Sequence, residues 1–338
     1  MKYALRLDDK SMPHMIERAK RAEAAGFEAL FAGELAGTPY VNCAAVAGHT
    51  TTIKLGTGVA YAFVRSPMTT ALTALDLDRL TDGRFILGLS TSLPRLIENW
   101  HNMPYGKPIP HIKEYLQVTR LIMENAHKMR PIQFNGEYYK TNIVGYMRPW
   151  RPVREKMPIL LGAVGPGMIK TAGEVADGLI AHPVYTLKYI KEVMQPKLAE
   201  GMAKGGKERK DFFVWLYVDV LIGNDKKTLL EIARGTPAFY ATVRSYEPFF
   251  ALHGFQQQAQ QIQQIFRENK GFSPKMNAAV TDEMAETFVA MGTADEVRRK
   301  IAEYGQYADG IILQTPTQAM KRADALPYEN ALFDVFGK

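Results

Sequence analysis

Residues 158–180 of the chain have the sequence PILLGAVGPGMIKTAGEVADGLI. An apolar run of strand length ends at Gly162, and an amphipathic segment of helical length begins near Pro166, since proline suits the first turn of a helix. The glycine-rich turn between them lets backbone N–H groups approach an anion, which the dipole of the following helix also attracts. The stretch therefore predicts one βα unit with either an anion-binding turn or a tight turn whose glycines serve packing.

The glycine spacing in this turn is not that of the common dinucleotide site. The glycines between Gly162 and Gly167 follow G-x-x-G-x-G, whereas the dinucleotide fingerprint is G-x-G-x-x-G. In addition, no ribose-binding acid follows about 20 residues later on a second strand. The motif alone leaves the two interpretations of the turn open.

Short apolar runs and longer amphipathic stretches alternate along the whole chain, a pattern typical of βα units on a parallel sheet. Most of the runs are apolar on both faces, as strands between a barrel interior and outer helices must be. Eight runs favour an α/β fold of the (β/α)8 TIM barrel type over a doubly wound sheet, as a single domain over residues 1–338. The predicted strands are 3–7, 29–33, 53–61, 85–89, 158–164, 178–181, 212–222 and 310–314.

Three stretches exceed a minimal barrel. They are residues 91–110 after strand 4, residues 131–157 before strand 5 and residues 223–293 between strands 7 and 8. The second contains Asn135-Gly136 between strand-like residues, which predicts a hairpin. Long loops in compact domains are usually functional, and the loops that follow barrel strands form the active-site face. We therefore expect the first and third stretches to supply substrate specificity and closure.

The composition is that of a globular protein, with 338 residues of which 46% are hydrophobic and 23% charged. No apolar run approaches the roughly 18 residues of a membrane span. The N-terminus lacks a signal-peptide core, so we expect a cytoplasmic protein that contacts no membrane. The single Cys43 cannot form an internal disulfide, and its apolar helical setting predicts packing rather than chemistry.

The net charge of +7 raises the question of a nucleic-acid partner. The basic residues are scattered, however, and the densest run, residues 204–210, is typical of a solvated loop. We therefore expect no nucleic-acid partner. A positive surplus also suits a small polyanionic ligand.

Two residues at strand ends are candidates for proton transfer. Glu34 follows the second predicted strand and His182 the sixth, so both face the catalytic mouth of the predicted barrel. A carboxylate and an imidazole in that position suit proton transfer beside a hydride acceptor. The alternative for each is a hydrogen bond that positions a loop. Arg65 is a candidate for a phosphate or carboxylate, with a surface ion pair as its alternative.

Other chemistries lack their signatures. The seven histidines show neither H-E-x-x-H nor a Cys/His ligand spacing, so we expect no metal. The segment 88–92 (GLSTS) nearly matches the hydrolase elbow G-x-S-x-G, but the last glycine is missing. This departure disfavours a serine hydrolase.

Several motifs, taken together, resemble the bacterial luciferase-like superfamily, and specifically its branch of oxidoreductases that use the deazaflavin coenzyme F420. The resemblance covers nearly the whole chain, and the ordered set is far more specific than any one motif. The motifs are LGTGVA (55–60) with RSP (65–67), LDLDRLTDGRFILGL (75–89), the helix segment 114–120, FNGEYY (134–139), GEVADG (173–178) and MGTADEV (291–297).

The resemblance implies a barrel, often dimeric, that holds the cofactor ring at its C-terminal mouth. It places a bulge, commonly with a non-proline cis peptide, at Gly58-Val59, where it supports the ring from behind. Ser90-Thr91-Ser92 corresponds to residues that contact the ring or its side chain. The phosphate cradle corresponds to the turn from Gly162 to Met168, namely Gly162, Ala163, Val164, Gly165, Gly167 and Met168.

One departure concerns proton transfer. Related F420 enzymes often carry Asp-His at the end of the second strand, where this chain has Gly33-Glu34-Leu35. Glu34 can stand in for the acid, whereas no obvious residue replaces the histidine.

The predicted function is hydride transfer between F420 and a small organic substrate, with Glu34 or His182 handling a proton, in a homodimer. In such enzymes the protein orients the ring and excludes water while the cofactor supplies the chemistry. The alternatives are a monooxygenase dependent on reduced FMN, which shares the barrel and much of the motif set, and a non-catalytic flavin-binding barrel.

Overall fold

A computed structural model describes residues 1–7 and 11–338, and Arg322 by its backbone alone. The strands are β1 (Lys2–Arg6), β2 (Ala29–Ala32), β3 (Lys54–Thr57), β4 (Ala60–Tyr61), β5 (Phe85–Ser90), β6 (Ile132–Asn135), β7 (Lys140–Ile143), β8 (Ile159–Ala163), β9 (Gly178–Ala181), β10 (Phe213–Ile222), β11 (Ala290–Gly292) and β12 (Gly310–Gln314).

The helices vary from one turn to five. They are α1 (Met12–Ala24), α2 (Pro39–Ala47), α3 (Pro67–Leu80), α4 (Pro108–Asn125), α5 (Pro166–Val175), α6 (Leu187–Tyr189), α7 (Gln195–Lys204), α8 (Lys226–Ala233), α9 (Gly235–Ala241), α10 (Glu247–Ala251), α11 (Gln256–Glu268), α12 (Pro274–Ala278), α13 (Asp282–Phe288), α14 (Ala294–Gly305) and α15 (Leu326–Phe336). Within the described ranges, no helix combines the length and apolar composition needed to cross a membrane.

The main sheet has the strand order β11-β10-β12-β1-β2-β3-β5-β8-β9, and β9 also pairs with β10. The sheet therefore closes on itself as a parallel (β/α)8 barrel, and the predicted fold class is confirmed. The short β4 pairs in parallel with the end of β5, which places Tyr61 opposite Ser90. Each of the helices α1 to α5 connects two strands that are neighbours in this sheet. Parallel neighbours require such crossover connections.

The chain divides into two compact units. One unit comprises residues 4–180 and 197–214, and the other comprises residues 1–3, 181–196 and 215–338. The prediction of a single domain over residues 1–338 stays a prediction.

In the first unit, apolar side chains in register build the core. Leu30 lies opposite Leu55, and Leu55 lies opposite Phe85. All three are fully buried, which explains why these strands are apolar runs in the sequence. The helices begin at caps that the sequence specifies, since Ser11 of α1 and Ser66 of α3 each accept a hydrogen bond from a first-turn N–H and precede an early proline.

In the second unit, β10 and β12 pair in parallel, with Trp215 opposite Gly310. A Cβ atom at Gly310 would overlap the Trp215 ring, so this position requires glycine. The predicted insertion of residues 223–293 contains α8 to α13 and the short β11, which pairs with the end of β10.

The boundaries of the predicted strands are confirmed to within two residues, with one exception. The predicted third strand, 53–61, is two strands, β3 and β4, because the peptide between Gly58 and Val59 is cis and interrupts the extended backbone. The short strand β11 was not predicted, because three residues carry too little periodicity to indicate a strand.

The predicted hairpin is confirmed as the antiparallel pair β6 and β7. Its loop contains four residues, Gly136 to Tyr139, rather than a two-residue Asn-Gly turn. The carboxylate of Glu114 on α4 holds this loop by accepting hydrogen bonds from the N–H groups of Glu137, Tyr138 and Tyr139 at 2.9, 2.8 and 3.1 Å.

Candidate cofactor and active site

The contacts of glycine residues identify the inner face of the sheet in the first unit. A Cβ atom at Gly88 on β5 would touch the side chain of Ile180 on β9, although β8 lies between these strands. A contact that passes over the intervening strand lies on the concave face, so Gly88 points into the barrel. Because side chains alternate along a strand, Ser90 points to the same face at the C-terminal end of β5.

Three of the predicted cofactor residues meet at this end of the strands. A Cβ atom at Gly162 would lie 2.8 Å from Cγ1 of Val59 and 3.3 Å from Cβ of Ser90. Val59, Ser90 and Gly162 therefore form one surface, which we call the mouth cluster. Any side chain at position 162 would occupy the space beside Val59 and Ser90.

The cis peptide that precedes Val59 is held by backbone hydrogen bonds on both sides. The N–H of Gly58 donates to Ala32 O at 2.8 Å, and Val59 O accepts from Glu34 N at 3.2 Å. The position of the cis bond agrees with the position that the resemblance implied.

The predicted phosphate cradle is the start of α5. Gly165 is the N-cap residue, Pro166 occupies the first turn, and the N–H groups of Met168 and Ile169 donate to Gly165 O at 3.0 Å each. No heavy atom lies within 4 Å of a Cβ atom built at Gly165, so the space beside the cap is open. The first turn contains no acidic side chain that would compete with an anion.

Ala163 and Val164, which connect β8 to this cap, both take part in further interactions. A Cβ atom at Gly167 would lie 3.2 Å from Cδ1 of Ile109. The predicted cradle residues thus follow one another from the mouth cluster to the open N-terminus of α5, an arrangement that suits an extended anionic ligand.

Thr91 and Ser92 follow β5 and are held by the loop after it. Thr91 is buried, and the hydroxyl of Tyr105 donates to Thr91 Oγ1 at 3.3 Å and to Ser92 O at 3.1 Å. Ser92 adopts a positive φ of 56°, which turns the chain sharply away from the strand.

The carboxylate of Glu34 is fully engaged. Its Oε2 accepts hydrogen bonds from Tyr61 N at 2.6 Å and from Arg65 Nη1 at 2.9 Å, and its Oε1 pairs with Arg65 Nη2. Only 7% of the Glu34 side chain is exposed. Burial alone would lower the pKa of Arg65, but the hydrogen bond and charge of Glu34 outweigh it and raise that pKa. This geometry favours the positioning role of Glu34, because it ties β2 to the chain that follows the cis peptide.

His182 follows β9 in the second unit, where the two tyrosines Tyr240 and Tyr246 contact its ring. Burial lowers its pKa to about 3, so the imidazole is neutral near pH 7. Its Nδ1 accepts from Val184 N at 3.2 Å, which leaves the ring proton on Nε2, 3.3 Å from the Tyr246 hydroxyl. His182 is therefore a hydrogen-bond donor in a neutral form.

Sequence reasoning did not single out Arg6 or His111 as site residues. Arg6 ends β1 with an exposed side chain whose Nη2 lies 3.9 Å from a Cβ atom built at Gly33. A cation at the C-terminal end of a strand was the available signal, and a guanidinium there can bind a carboxylate or phosphate. His111 lies on α4 and gave no local signal, since its contacts come from distant segments. In the ranges described, no three His, Cys, Asp or Glu side chains converge as a metal site.

The site thus combines a closed (β/α)8 barrel with an open helix N-terminus beside a glycine-lined mouth. The model of the luciferase-like monooxygenase family matches residues 4–309. The chain therefore belongs to the luciferase-like monooxygenase family, and the predicted membership and oxidoreductase class are confirmed.

Among its relatives is a putative coenzyme F420-dependent oxidoreductase of Mycobacterium tuberculosis, which is 28% identical over 304 residues, 85% of this chain and 86% of that protein. The solved structure of the coenzyme F420-dependent tetrahydromethanopterin reductase from Methanopyrus kandleri has the same fold, with a TM-score of 0.80, 23% identity and coverage of 94% and 95% of the two chains. An FMN-bound 3,6-diketocamphane monooxygenase constituent of Pseudomonas putida also shares the fold, with a TM-score of 0.70, 16% identity and coverage of 100% and 97%.

Proposed function

We propose that this chain is an F420-dependent oxidoreductase that transfers a hydride between the deazaflavin and a small organic substrate. The observation that carries the proposal is the continuity of the mouth cluster with the open cap at Gly165. The glycines leave room that side chains would fill, and a flat ring with an anionic tail fits that arrangement. The putative F420-dependent relative supports this choice of cofactor.

When bound, F420 supplies hydride transfer, and the protein supplies position and environment. The Gly58-Val59 peptide and the Val59 side chain would support one face of the ring, and Ser90 at the end of β5 and Thr91 just after it would contact the ring. The backbone N–H groups of Gly165 and Gly167, together with the dipole of α5, would hold the phosphate of the tail.

Glu34 and His182 were both predicted to handle the proton. We assign Glu34 a positioning role, because its carboxylate is committed to Arg65 and Tyr61, and the catalytic role of His182 stays a prediction. The predictions of one barrel domain over residues 1–338, a homodimer and a cytoplasmic location belong to this proposal.

A monooxygenase dependent on reduced FMN is the second candidate, because the FMN-bound monooxygenase has the same fold. Titration of the purified chain with F420 and with FMN, followed by the absorbance of each cofactor, separates the two. We expect F420 to bind and FMN to bind at least about tenfold more weakly, a difference of ~1.4 kcal/mol. Binding of FMN alone would exclude hydride transfer from the deazaflavin.

Gly162→Ala tests the site itself. The added Cβ would lie 2.8 Å from Val59 and 3.3 Å from Ser90, so we expect F420 to bind at least about tenfold more weakly. Gly48→Ala is the matched control, because no atom lies within 4 Å of a Cβ there. Equal F420 affinity in the two variants would argue against a cofactor at the mouth cluster.

A further inference from the structure

His111 lies in the middle of a stack of three rings. Its imidazole is parallel to the Phe63 ring at a centroid distance of 3.7 Å and an angle of 7°, and to the Tyr138 ring at 4.4 Å and 13°. His111 is buried, with 5% of its surface exposed. Such close packing on both faces fixes the plane of the imidazole.

Two hydrogen bonds fix the ring within that plane. Nδ1 lies 2.8 Å from Tyr105 O, and Nε2 lies 2.7 Å from the Tyr139 hydroxyl. A carbonyl oxygen can only accept, so Nδ1 carries the proton, and the neutral ring accepts from Tyr139 at Nε2. Burial lowers the pKa of His111, in agreement with this neutral tautomer.

The partners of His111 come from three separate segments. Phe63 follows β4, just after the cis peptide, and Tyr138 and Tyr139 belong to the hairpin loop that Glu114 holds. Tyr105 belongs to the loop after β5, and its hydroxyl donates to Thr91 Oγ1 and Ser92 O. One imidazole thus links both loops that border the mouth cluster to the hairpin.

We infer that His111 is a positioning residue for the cofactor site, which fixes the Thr91-Ser92 segment through Tyr105 and uses the hairpin of residues 132–143 as a brace. The inference rests on the proposed function in that Thr91 contacts the cofactor. The bond from Nδ1 to the Tyr105 carbonyl transmits the effect, and the bond to Tyr139 orients the ring.

Two substitutions separate these bonds. The amide of His111→Asn reaches the position of Nδ1 and keeps a donor for Tyr105 O. The amide of His111→Gln reaches the position of Nε2 and keeps only an acceptor for the Tyr139 hydroxyl. Both remove the ring stack, so both lower the melting temperature to a similar extent. We expect the Asn variant to bind F420 at least about tenfold more tightly than the Gln variant.

Tyr105→Phe removes the bonds to Thr91 and Ser92, so we expect it to weaken F420 binding as His111→Gln does. The effects of Tyr105→Phe and His111→Gln in one chain are expected to be less than additive, because both act through one path. His49→Asn is the control, since His49 is exposed on the surface. Equal affinity of the Asn and Gln variants, or unchanged affinity in Tyr105→Phe, would overturn the inference.

Amide hydrogen exchange of residues 90–105 gives a readout that needs no cofactor. We expect faster exchange there in His111→Gln than in His111→Asn, and equal exchange would contradict the inference. If the unmodified chain binds FMN and not F420, the proposed function fails, and the same comparison with FMN still decides the role of His111.

Discussion

At the residue scale, Glu34 and Arg65 form a partly buried ion pair, in which each member depends on the other. Arg65→Met leaves the Glu34 carboxylate without its counter-charge, so we expect a loss of about 3 kcal/mol in the free energy of unfolding, the low end for a buried pair. Glu34→Gln combined with Arg65→Met is expected to cost less than the sum of the single substitutions. Urea unfolding of the four chains measures this, and additive losses would show that the pair is not coupled.

His182 is expected to make the stability of the chain depend on pH, because burial lowers its pKa. Its pKa in the folded chain, about 3, lies below the ordinary value of 6.5. Above pH 6.5 both folded and unfolded chains hold it neutral, so it has no effect on stability there. As the pH falls below 6.5, the unfolded chain binds a proton that the folded chain refuses, and stability is lost.

We therefore expect acid destabilisation between pH 6.5 and pH 4 to be shallower in His182→Gln than in the unmodified chain. Unfolding free energies across this range provide the comparison, with His49→Gln as a control on the exposed surface. Parallel curves for the unmodified chain and His182→Gln would mean that His182 titrates normally.

Among the helices, α5 allows helix stability and anion binding to be tested separately, by substitutions at its N-terminus. Asp is a better N-cap than Gly by about a few tenths of a kcal/mol, and Gly165 has the extended backbone of a cap, with φ −87° and ψ 164°. Gly165→Asp is therefore expected to keep or raise the melting temperature. Its carboxylate would repel a phosphate, so we expect F420 to bind at least about tenfold more weakly.

Gly165→Asn is the matched control, since it has the same size and capping ability without the charge. Any steric effect appears in both variants, and the difference between them reports the charge alone. Equal F420 affinity in Gly165→Asp and Gly165→Asn would place the phosphate elsewhere.

At the scale of the whole molecule, the barrel was predictable because its strands are buried on both faces and are therefore short apolar runs. The cap at Gly165 was predictable for a similar reason, since glycine, proline and the following amphipathic period lie next to one another in the sequence. The break at Gly58-Val59 followed from the resemblance, whereas periodicity alone predicted an unbroken strand.

The parts that were not predicted depend on contacts between distant residues. Phe63, His111 and Tyr139 are far apart in the sequence, and each alone is typical of core packing. The commitment of Glu34 to Arg65 is likewise a property of the folded chain, because the sequence shows only that both follow strands. Local patterns therefore predicted the position of the proposed site, and the fold was needed to propose roles for its side chains.

In the proposed function, backbone amides at the start of α5 hold the tail of F420 while its ring lies on the mouth cluster. A crystal structure of the chain with bound F420 would show both contacts. We predict the phosphate within hydrogen-bond distance of a backbone N–H in the first turn of α5, and the ring in contact with Val59 and Ser90. A phosphate bound away from α5, or a ring away from Gly162, would contradict it.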